Sequence, residues 1–107
     1  MTPIETTLFK TIIHIQSEWN LSDAQLRKSI GLTQTEINEA RLSKQITKTP
    51  RILLFIKFYK KVSQEFSTNQ NQLSWLKTTH PKLNKIPLSM IMTEKGLNEL
   101  LRYTQDF

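Results

Sequence analysis

Apolar residues recur along this chain at the three- and four-residue spacing of α-helices. In the first such stretch, which follows Pro3, one helical face carries Ile4, Leu8, Ile12, Ile15 and Trp19. We expect this face to lie in the core, with Phe9 and Ile13 widening it. No alternating strand pattern persists, and no two-residue hairpin turn is visible. The chain is therefore predicted to be all-α.

Two short helices are predicted next, separated by residues that suit helix ends. Ser22 is a good N-cap, because Gln25 three residues later completes a capping box. Gly31 stands where a helix C-terminus needs a left-handed residue. Thr33 and Glu36 form the capping box of the following helix. That helix is predicted over about 34–43, with its inward positions at Ile37, Ala40 and Leu42.

The spacing of these elements is typical of a helix-turn-helix. Leu26 and Ile30 precede the turn Gly31-Leu32-Thr33, and Ile37 follows it. The apolar residue in the turn fills the angle between the two helices. The second helix of such a motif lies in the major groove of DNA. Helices joined at a glycine corner also occur in bundles that bind no nucleic acid, which is the alternative interpretation.

A fourth helix is predicted from Pro50, with Thr49 as its N-cap. One of its faces carries Ile52, Phe55, Tyr59, Val62 and Phe66. Further apolar residues cover other faces, namely Leu53, Leu54, Ile56 and Phe58. This is more apolar surface than one small core uses, so the helix is either central or part of a homodimer seam. We expect the helix to be central on one face and to form a dimer on another. The residues assigned to the dimer are Ile52, Phe55, Tyr59, Val62 and Phe66.

Polar residues from Ser67 to Gln72 form a linker or a helix start, and they mark a boundary. The two parts of the chain are predicted to be 1–67 and 68–107. Beyond the boundary, short helices are predicted around Trp75-Leu76 and from Pro87, and Thr93 can cap a last helix. Trp75 is a large amphipathic anchor for so small a segment.

Gly96 lies inside the last helical pattern, where glycine costs about 1 kcal/mol relative to alanine. Its presence favours either the close approach of another backbone or a helix that starts late. Met90, Ile91 and Met92 precede it as an adaptable apolar cluster. That cluster suits a core and a partner surface equally well.

Charge adds a class of partner to this picture. The chain has 15 Lys and Arg against 9 Asp and Glu, a net charge of +6. This excess favours an anionic partner over mere solubility. From Arg41 to Lys61, both included, the chain has seven basic residues and no acidic residue, so this charge is concentrated directly after the third helix. A helix-turn-helix protein contacts backbone phosphates there, although most charge runs are solvated helix faces.

The third helix can present polar side chains to base edges. Gln and Asn can hydrogen-bond adenine, and Arg can hydrogen-bond guanine. Glu36 is accounted for by its capping box, whereas Glu39 would repel phosphate unless it contacts a cytosine amine or faces away. The predicted DNA-binding residues are Thr33, Gln34, Thr35, Asn38, Arg41, Lys44 and Lys48.

The sequence argues against an enzyme. It has no cysteine, its only imidazoles are His14 and His80, and neither a phosphate-binding glycine loop nor metal-ligand spacing is present. We therefore expect no catalytic residue, metal or cofactor. The start lacks the features of a signal peptide, and the longest apolar run, Ile52 to Ile56, is too short to span a bilayer. A cytoplasmic protein without a membrane partner is expected.

The last third of the chain resembles a known family. It reads Trp75-Leu76-x6-Leu83-x3-Pro87-Leu88-x2-Ile91-x-Thr93-x2-Gly96-x3-Leu100. This series resembles the toxin-binding domain of the Xre/MbcA/ParS family of type II antitoxins. The segment from Leu26 to Ile37 is similar to the Xre-like helix-turn-helix region of that family. Arg27 stands where the family usually has a small residue, which alters the packing of the second helix.

The resemblance implies an antitoxin that neutralises a cognate toxin by direct binding. Family toxins often carry a RES domain and attack NAD or transfer ADP-ribose. The same chain would dimerise and repress its own operon through the helix-turn-helix. The implied toxin-binding residues are Trp75, Leu76, Pro87, Leu88, Ile91, Gly96, Leu97 and Leu100. The sequence does not decide whether the tail from Tyr103 to Phe107 enters a toxin pocket. The alternative is a stand-alone repressor of phage or plasmid type without a toxin partner.

Overall fold

A computed structural model describes residues 3–105 of the chain. Its helices are α1 (Pro3–Glu18), α2 (Asp23–Ile30), α3 (Gln34–Ser43), α4 (Pro50–Glu65), α5 (Asn69–Lys77), α6 (Pro87–Met90) and α7 (Glu94–Thr104). The described residues also contain one isolated β-bridge, between His80 and Lys85 in the loop that joins α5 to α6. The prediction of a small all-α fold is confirmed.

The ends of α2 and α3 fall where their capping residues predicted them. The Ser22 hydroxyl accepts a hydrogen bond from the backbone N–H of Gln25, whose side chain accepts one in return. Gly31 then ends α2 with φ +70°. Thr33 and Glu36 form the same reciprocal pair at the start of α3. An N-cap contributes about 1 kcal/mol, so these ends are specified locally.

One hydrophobic core joins the N-terminal and C-terminal parts of the chain. Trp19, just after α1, is buried, and its ring packs edge-to-face against Phe55 and Phe58 of α4. α7 packs against the same helix and buries Leu97 completely. The predicted boundary after residue 67 therefore separates two stretches of sequence that share a core.

A buried hydrogen-bond relay crosses that boundary. The indole Nε1 of Trp19 donates to the side-chain oxygen of Gln72 over 2.9 Å, and the amide nitrogen of Gln72 donates to the carbonyl of Phe66 over 2.9 Å. Gln72 is buried, and both ends of its amide are satisfied, as a buried polar group requires. The polar stretch predicted as a linker or a helix start is thus the start of α5, which begins at Asn69.

Gly96 is the third residue of α7, and another backbone approaches it closely. A Cβ atom at this position would lie 2.0 Å from the carbonyl oxygen of Met90. The backbone N–H of Gly96 donates to the Thr93 hydroxyl over 3.0 Å. The structure therefore bears out the expected close approach, and not the alternative of a late start, because α7 begins at Glu94, directly after its predicted N-cap Thr93.

α4 is a central helix of the monomer, which corrects part of the dimer prediction. Ile52, Phe55 and Val62 are all 0% exposed in the single chain. These three side chains have no surface left for a second copy, so they are core residues and not a dimer seam. Leu53, by contrast, is 42% exposed on the opposite side of the helix.

The other two residues assigned to the dimer, Tyr59 and Phe66, are partly buried in the same chain. The Tyr59 ring lies 5.3 Å from that of Trp19, centroid to centroid. Burial raises the pKa of the Tyr59 phenol, and the Glu18 carboxylate, through a hydrogen bond and its charge, raises it further. The Phe66 ring packs near Trp75. Both residues thus have partners inside the monomer.

Candidate nucleic-acid interface

α3 buries one narrow face and leaves the rest in solvent. Ile37 and Ala40 point into the core, at 2% and 5% exposure. Gln34, Thr35 and Asn38 are exposed. These are three of the residues predicted to contact bases, and the structure places them together on the outer side of one helix.

Two of these exposed side chains hold each other in place. The amide nitrogen of Gln34 donates to the side-chain oxygen of Asn38 over 3.0 Å. The pair still has amide N–H groups and oxygen lone pairs available. Donor and acceptor capacity in an amide is what an adenine edge in the major groove requires.

Thr33, also predicted to contact DNA, is engaged at the start of the helix. Its hydroxyl accepts a hydrogen bond from the backbone N–H of Glu36 over 3.1 Å. Its own backbone N–H donates to the Glu36 carboxylate over 2.9 Å. Thr33 is exposed, but its established part in the structure is to begin α3.

The prediction that Leu42 points inward is wrong. Its side chain is 86% exposed. Each helical residue turns by about 100°, so a position five residues beyond Ile37 lies on the far side of α3. The inward face of this helix is therefore narrower than the apolar residues alone suggested.

Arg41 lies on the flank of α3 and is tied to α1 and α2. Its guanidinium nitrogen Nη2 lies 2.6 Å from Oδ1 of Asp23 and 3.1 Å from the side-chain oxygen of Gln16. Gln16 also donates to Asp23 over 2.9 Å, which closes a three-residue cluster. Arg41 therefore anchors α3 against its neighbours, and a contact with guanine stays a prediction.

The basic stretch divides into structural and exposed members. Arg51 donates from Nε to the carbonyl of Ser29 over 3.1 Å and from Nη2 to that of Lys28 over 2.8 Å, so it caps the C-terminus of α2. Burial lowers the pKa of its guanidinium, while the carboxylate of Glu94 acts in the opposite direction. The sequence had no signal for this role, because the two helices meet only in the fold.

Lys44 and Lys48 remain as exposed cations next to α3. Lys44 ends the helix in a left-handed conformation, with φ +57°. Lys48 lies in the segment that leads to α4. Lys57 and Lys60 are exposed farther on, along α4. Exposed lysines can contact phosphates without any rearrangement of the fold.

Glu39 faces away from the amide pair. It lines a groove of about 370 Å³ on the other flank of α3, together with Glu5, Glu36 and residues of the segment that precedes α4. Glu36 is already engaged with the backbone of Thr33. The acidic side chains of this region therefore lie on one flank of α3, and the amides of Gln34 and Asn38 lie on a different one.

Arg27, the departure from the family pattern, fits into the turn after α2. Its Nη1 atom donates to the carbonyl of Leu32 over 3.3 Å, while its Nε is buried without a hydrogen-bond partner. The side chain is half-buried and spans from α2 to the start of α3. The larger residue is thus accommodated at the turn, although not every polar atom is satisfied.

Most residues that the resemblance implies for toxin binding lie inside the fold. Six of the eight are buried, namely Leu76, Pro87, Ile91, Gly96, Leu97 and Leu100. Their spacing reflects the packing of α5, α6 and α7 into the shared core. The prediction that these six residues contact a partner is therefore corrected, and they are core residues. A buried side chain cannot contact another protein without local opening of the fold.

The remaining two, Trp75 and Leu88, are partly exposed. Trp75 belongs to an aromatic cluster in which its ring lies 5.0 Å from that of His80 and 6.4 Å from that of Tyr103. The Nε2 atom of His80 lies 3.0 Å from the carbonyl of Trp75. Of the tail from Tyr103 to Phe107, Asp106 and Phe107 lie outside the described residues.

Neither metal-site nor membrane-span geometry is found in the described part of the chain. Residues 3–105 contain no group of three or more His, Cys, Asp or Glu side chains placed to hold a metal ion. None of the helices within that range has the length and apolar content needed to cross a bilayer.

Comparison with known proteins assigns no relative. No protein-family model matches the chain, and no curated protein matches it significantly.

Proposed function

We propose that the chain is a sequence-specific DNA-binding regulator that inserts α3 into the major groove. The observation that carries this proposal is the exposed amide pair of Gln34 and Asn38 on a helix set by caps at both ends. Lys44 and Lys48 follow the same helix as exposed cations. A base-reading helix followed by phosphate-binding cations is the arrangement that protein–DNA recognition uses.

The charge distribution supports the same proposal. The net charge of +6 favours approach to a polyanion. Two arginines of the basic stretch, Arg41 and Arg51, are engaged within the protein, so the exposed lysines would make the phosphate contacts. A homodimer, which would place two α3 helices at two half-sites, belongs to the proposal. Sedimentation equilibrium tests it.

The test is a binding assay over a series of salt concentrations. The probes are a duplex from the region upstream of the chain's own gene and a scrambled duplex of equal length. Affinity for both should fall as salt rises, because phosphate contacts release counterions. The upstream duplex should bind more tightly at every salt concentration. Absence of salt-dependent binding to either duplex would overturn the proposal.

Two variants locate the interface. Asn38→Ala should weaken binding to the upstream duplex by about 1–3 kcal/mol and leave binding to the scrambled duplex nearly unchanged. Asn98→Ala is the matched control, since Asn98 is an exposed asparagine on α7. Replacing Lys44 and Lys48 with Gln should weaken both complexes and reduce the salt slope by about one per lost phosphate contact. Equal effects at Asn38 and Asn98 would contradict an α3 interface.

An antitoxin function is a second candidate, and one surface favours it. Around α6, Ile86 is 38% exposed, and Leu88 and Met92 are partly exposed. These apolar side chains lie in the segment whose sequence resembles the antitoxin family. We propose them as the partner-binding residues, in place of the buried positions that the resemblance implied.

Co-expression with each flanking open reading frame tests this second candidate. An antitoxin should relieve growth arrest caused by one neighbour and co-purify with its product, a RES-domain protein if the resemblance holds. Leu88→Ala should weaken the complex. Leu53→Ala, which truncates an exposed leucine on α4, should not. If no neighbour is toxic or forms a complex, a cytoplasmic repressor without a toxin partner is the better account.

A further inference from the structure

Leu42 is an anomaly on an otherwise polar helix face. At 86% exposure it is the most exposed of the large hydrophobic side chains in the described part of the chain, ahead of Ile4 at 59% and Leu53 at 42%. An isolated exposed leucine is common on protein surfaces. This one, however, lies on the helix that the proposed function places in DNA, so its chemistry bears on that function.

Its position puts it in register with the amide pair. Gln34, Asn38 and Leu42 follow each other at intervals of four residues, so they lie one above the other along α3. The hydrogen bond between Gln34 and Asn38 fixes the first two side chains at 3.0 Å. Along α3 these three positions therefore form a row of two amide side chains followed by one aliphatic side chain.

The major groove offers one apolar group, the C5-methyl of thymine, among hydrogen-bonding groups. A leucine pressed against any other base edge would bury a donor or acceptor without a partner, which is costly. The amides one turn earlier match adenine. An aliphatic side chain next to them matches a neighbouring thymine.

We propose that Leu42 is a specificity-determining residue that contacts the C5-methyl of a thymine next to the adenine bound by Asn38. The chain then prefers sites in which A·T pairs occupy the centre of the α3 footprint. This inference rests on the proposed DNA-binding function, and it names the base composition that the function selects.

The experiment begins with selection of binding sites from a random-sequence duplex pool. Each thymine of the enriched site is then replaced in turn by uracil, which removes only the methyl group. For the wild-type protein, one replacement should weaken binding about fourfold, as expected for one buried methyl group. Leu42→Ala should bind the thymine duplex more weakly and lose the difference between thymine and uracil. Circular dichroism confirms that this surface variant is folded.

Leu53→Ala is the matched control. It removes an exposed leucine from α4 and should keep the fourfold difference. The inference fails if no thymine-to-uracil replacement weakens binding of the wild-type protein, or if Leu42→Ala keeps the full difference between thymine and uracil. In either case Leu42 does not contact a thymine methyl group, and the proposed DNA binding is unaffected. A selected site without A·T pairs overturns the inference in the same way. If the pool yields no enriched site and binding shows no salt dependence, the proposed function itself fails.

Discussion

α3 and α7 are helices of nearly equal length, 10 and 11 residues, in opposite surroundings. α7 buries five residues, whereas α3 buries only Ile37 and Ala40. α7 is thus stabilised by tertiary packing, while α3 relies more on its caps and a thin contact strip. A helix held in this way leaves most of its surface available to a partner. α3 therefore leaves most of its side chains open to a partner, whereas the residues of α7 that resemble a binding motif are buried.

The largest expected effect comes from removing packing at α7. Leu97→Ala deletes a fully buried side chain and should lower the free energy of unfolding by about 2–5 kcal/mol. Urea denaturation followed by circular dichroism measures it. Leu42→Ala on α3 is the control and should change stability by less than about 0.5 kcal/mol. Similar losses of stability in the two variants would mean that α3 depends on tertiary packing as much as α7 does.

A second test adds volume at the start of α7. In Gly96→Ala the new Cβ would meet the carbonyl oxygen of Met90 at 2.0 Å, so the backbone must shift. We expect a loss of about 1–3 kcal/mol, typical of overpacking, and a lower Tm in thermal unfolding. Lys95→Ala, at an exposed neighbouring position, should leave the Tm nearly unchanged. An unaltered Tm for the Gly96 variant would mean that α6 and α7 are not packed as described.

The third test weakens α3 locally. Thr33→Ala removes the hydroxyl that accepts from the backbone N–H of Glu36 and should cost about 1 kcal/mol. Hydrogen exchange should then quicken in α3 more than in α7, because the lost bond belongs to one helix end. Thr33→Ser keeps the hydroxyl and should behave like the wild type. Uniform acceleration across both helices would show that α3 is no more independent than α7.

The smallest effect is expected at the ion pair that anchors α3. A double-mutant cycle with Arg41→Gln and Asp23→Asn should give a coupling of about 0.2–1 kcal/mol, since the pair is partly exposed. The coupling should shrink at high salt. A coupling that is large and insensitive to salt would mean that tertiary contacts dominate α3 as well.

Much of the helix layout could be predicted because its signals are local. Ser22, Gly31, Thr33 and Pro50 act on the backbone within a few residues, and so their meaning does not depend on the rest of the fold. The apolar spacing of α1 likewise predicted its buried residues. Ile12 and Ile15 are at most 1% exposed, although Ile4 at the start of the same stripe is 59% exposed.

The candidate site could be predicted only in part, because its other features depend on which elements meet. From the sequence Arg41 was predicted to bind DNA, but in the fold its guanidinium contacts Asp23 and Gln16. Apolar spacing in the last third was equally consistent with a core and with a partner surface. Only the packing of α7 against α4 decides between these for Leu97. For Leu42, by contrast, the helical period counted from Ile37 places the side chain on the outer side of α3, so the error came from treating an apolar residue as a buried one.

The hydrogen bond from Trp19 to Gln72 has a consequence for synthesis of the chain. When α4 has left the ribosome, Phe55 and Phe58 can meet Trp19, but the indole N–H still lacks its partner, and the face of α4 that packs against α7 is bare. Exposed apolar surface of this kind makes nascent chains prone to aggregate. We therefore expect stable folding to require α7, and a ribosome that stalled before α7 would release a chain in which this face of α4 is exposed.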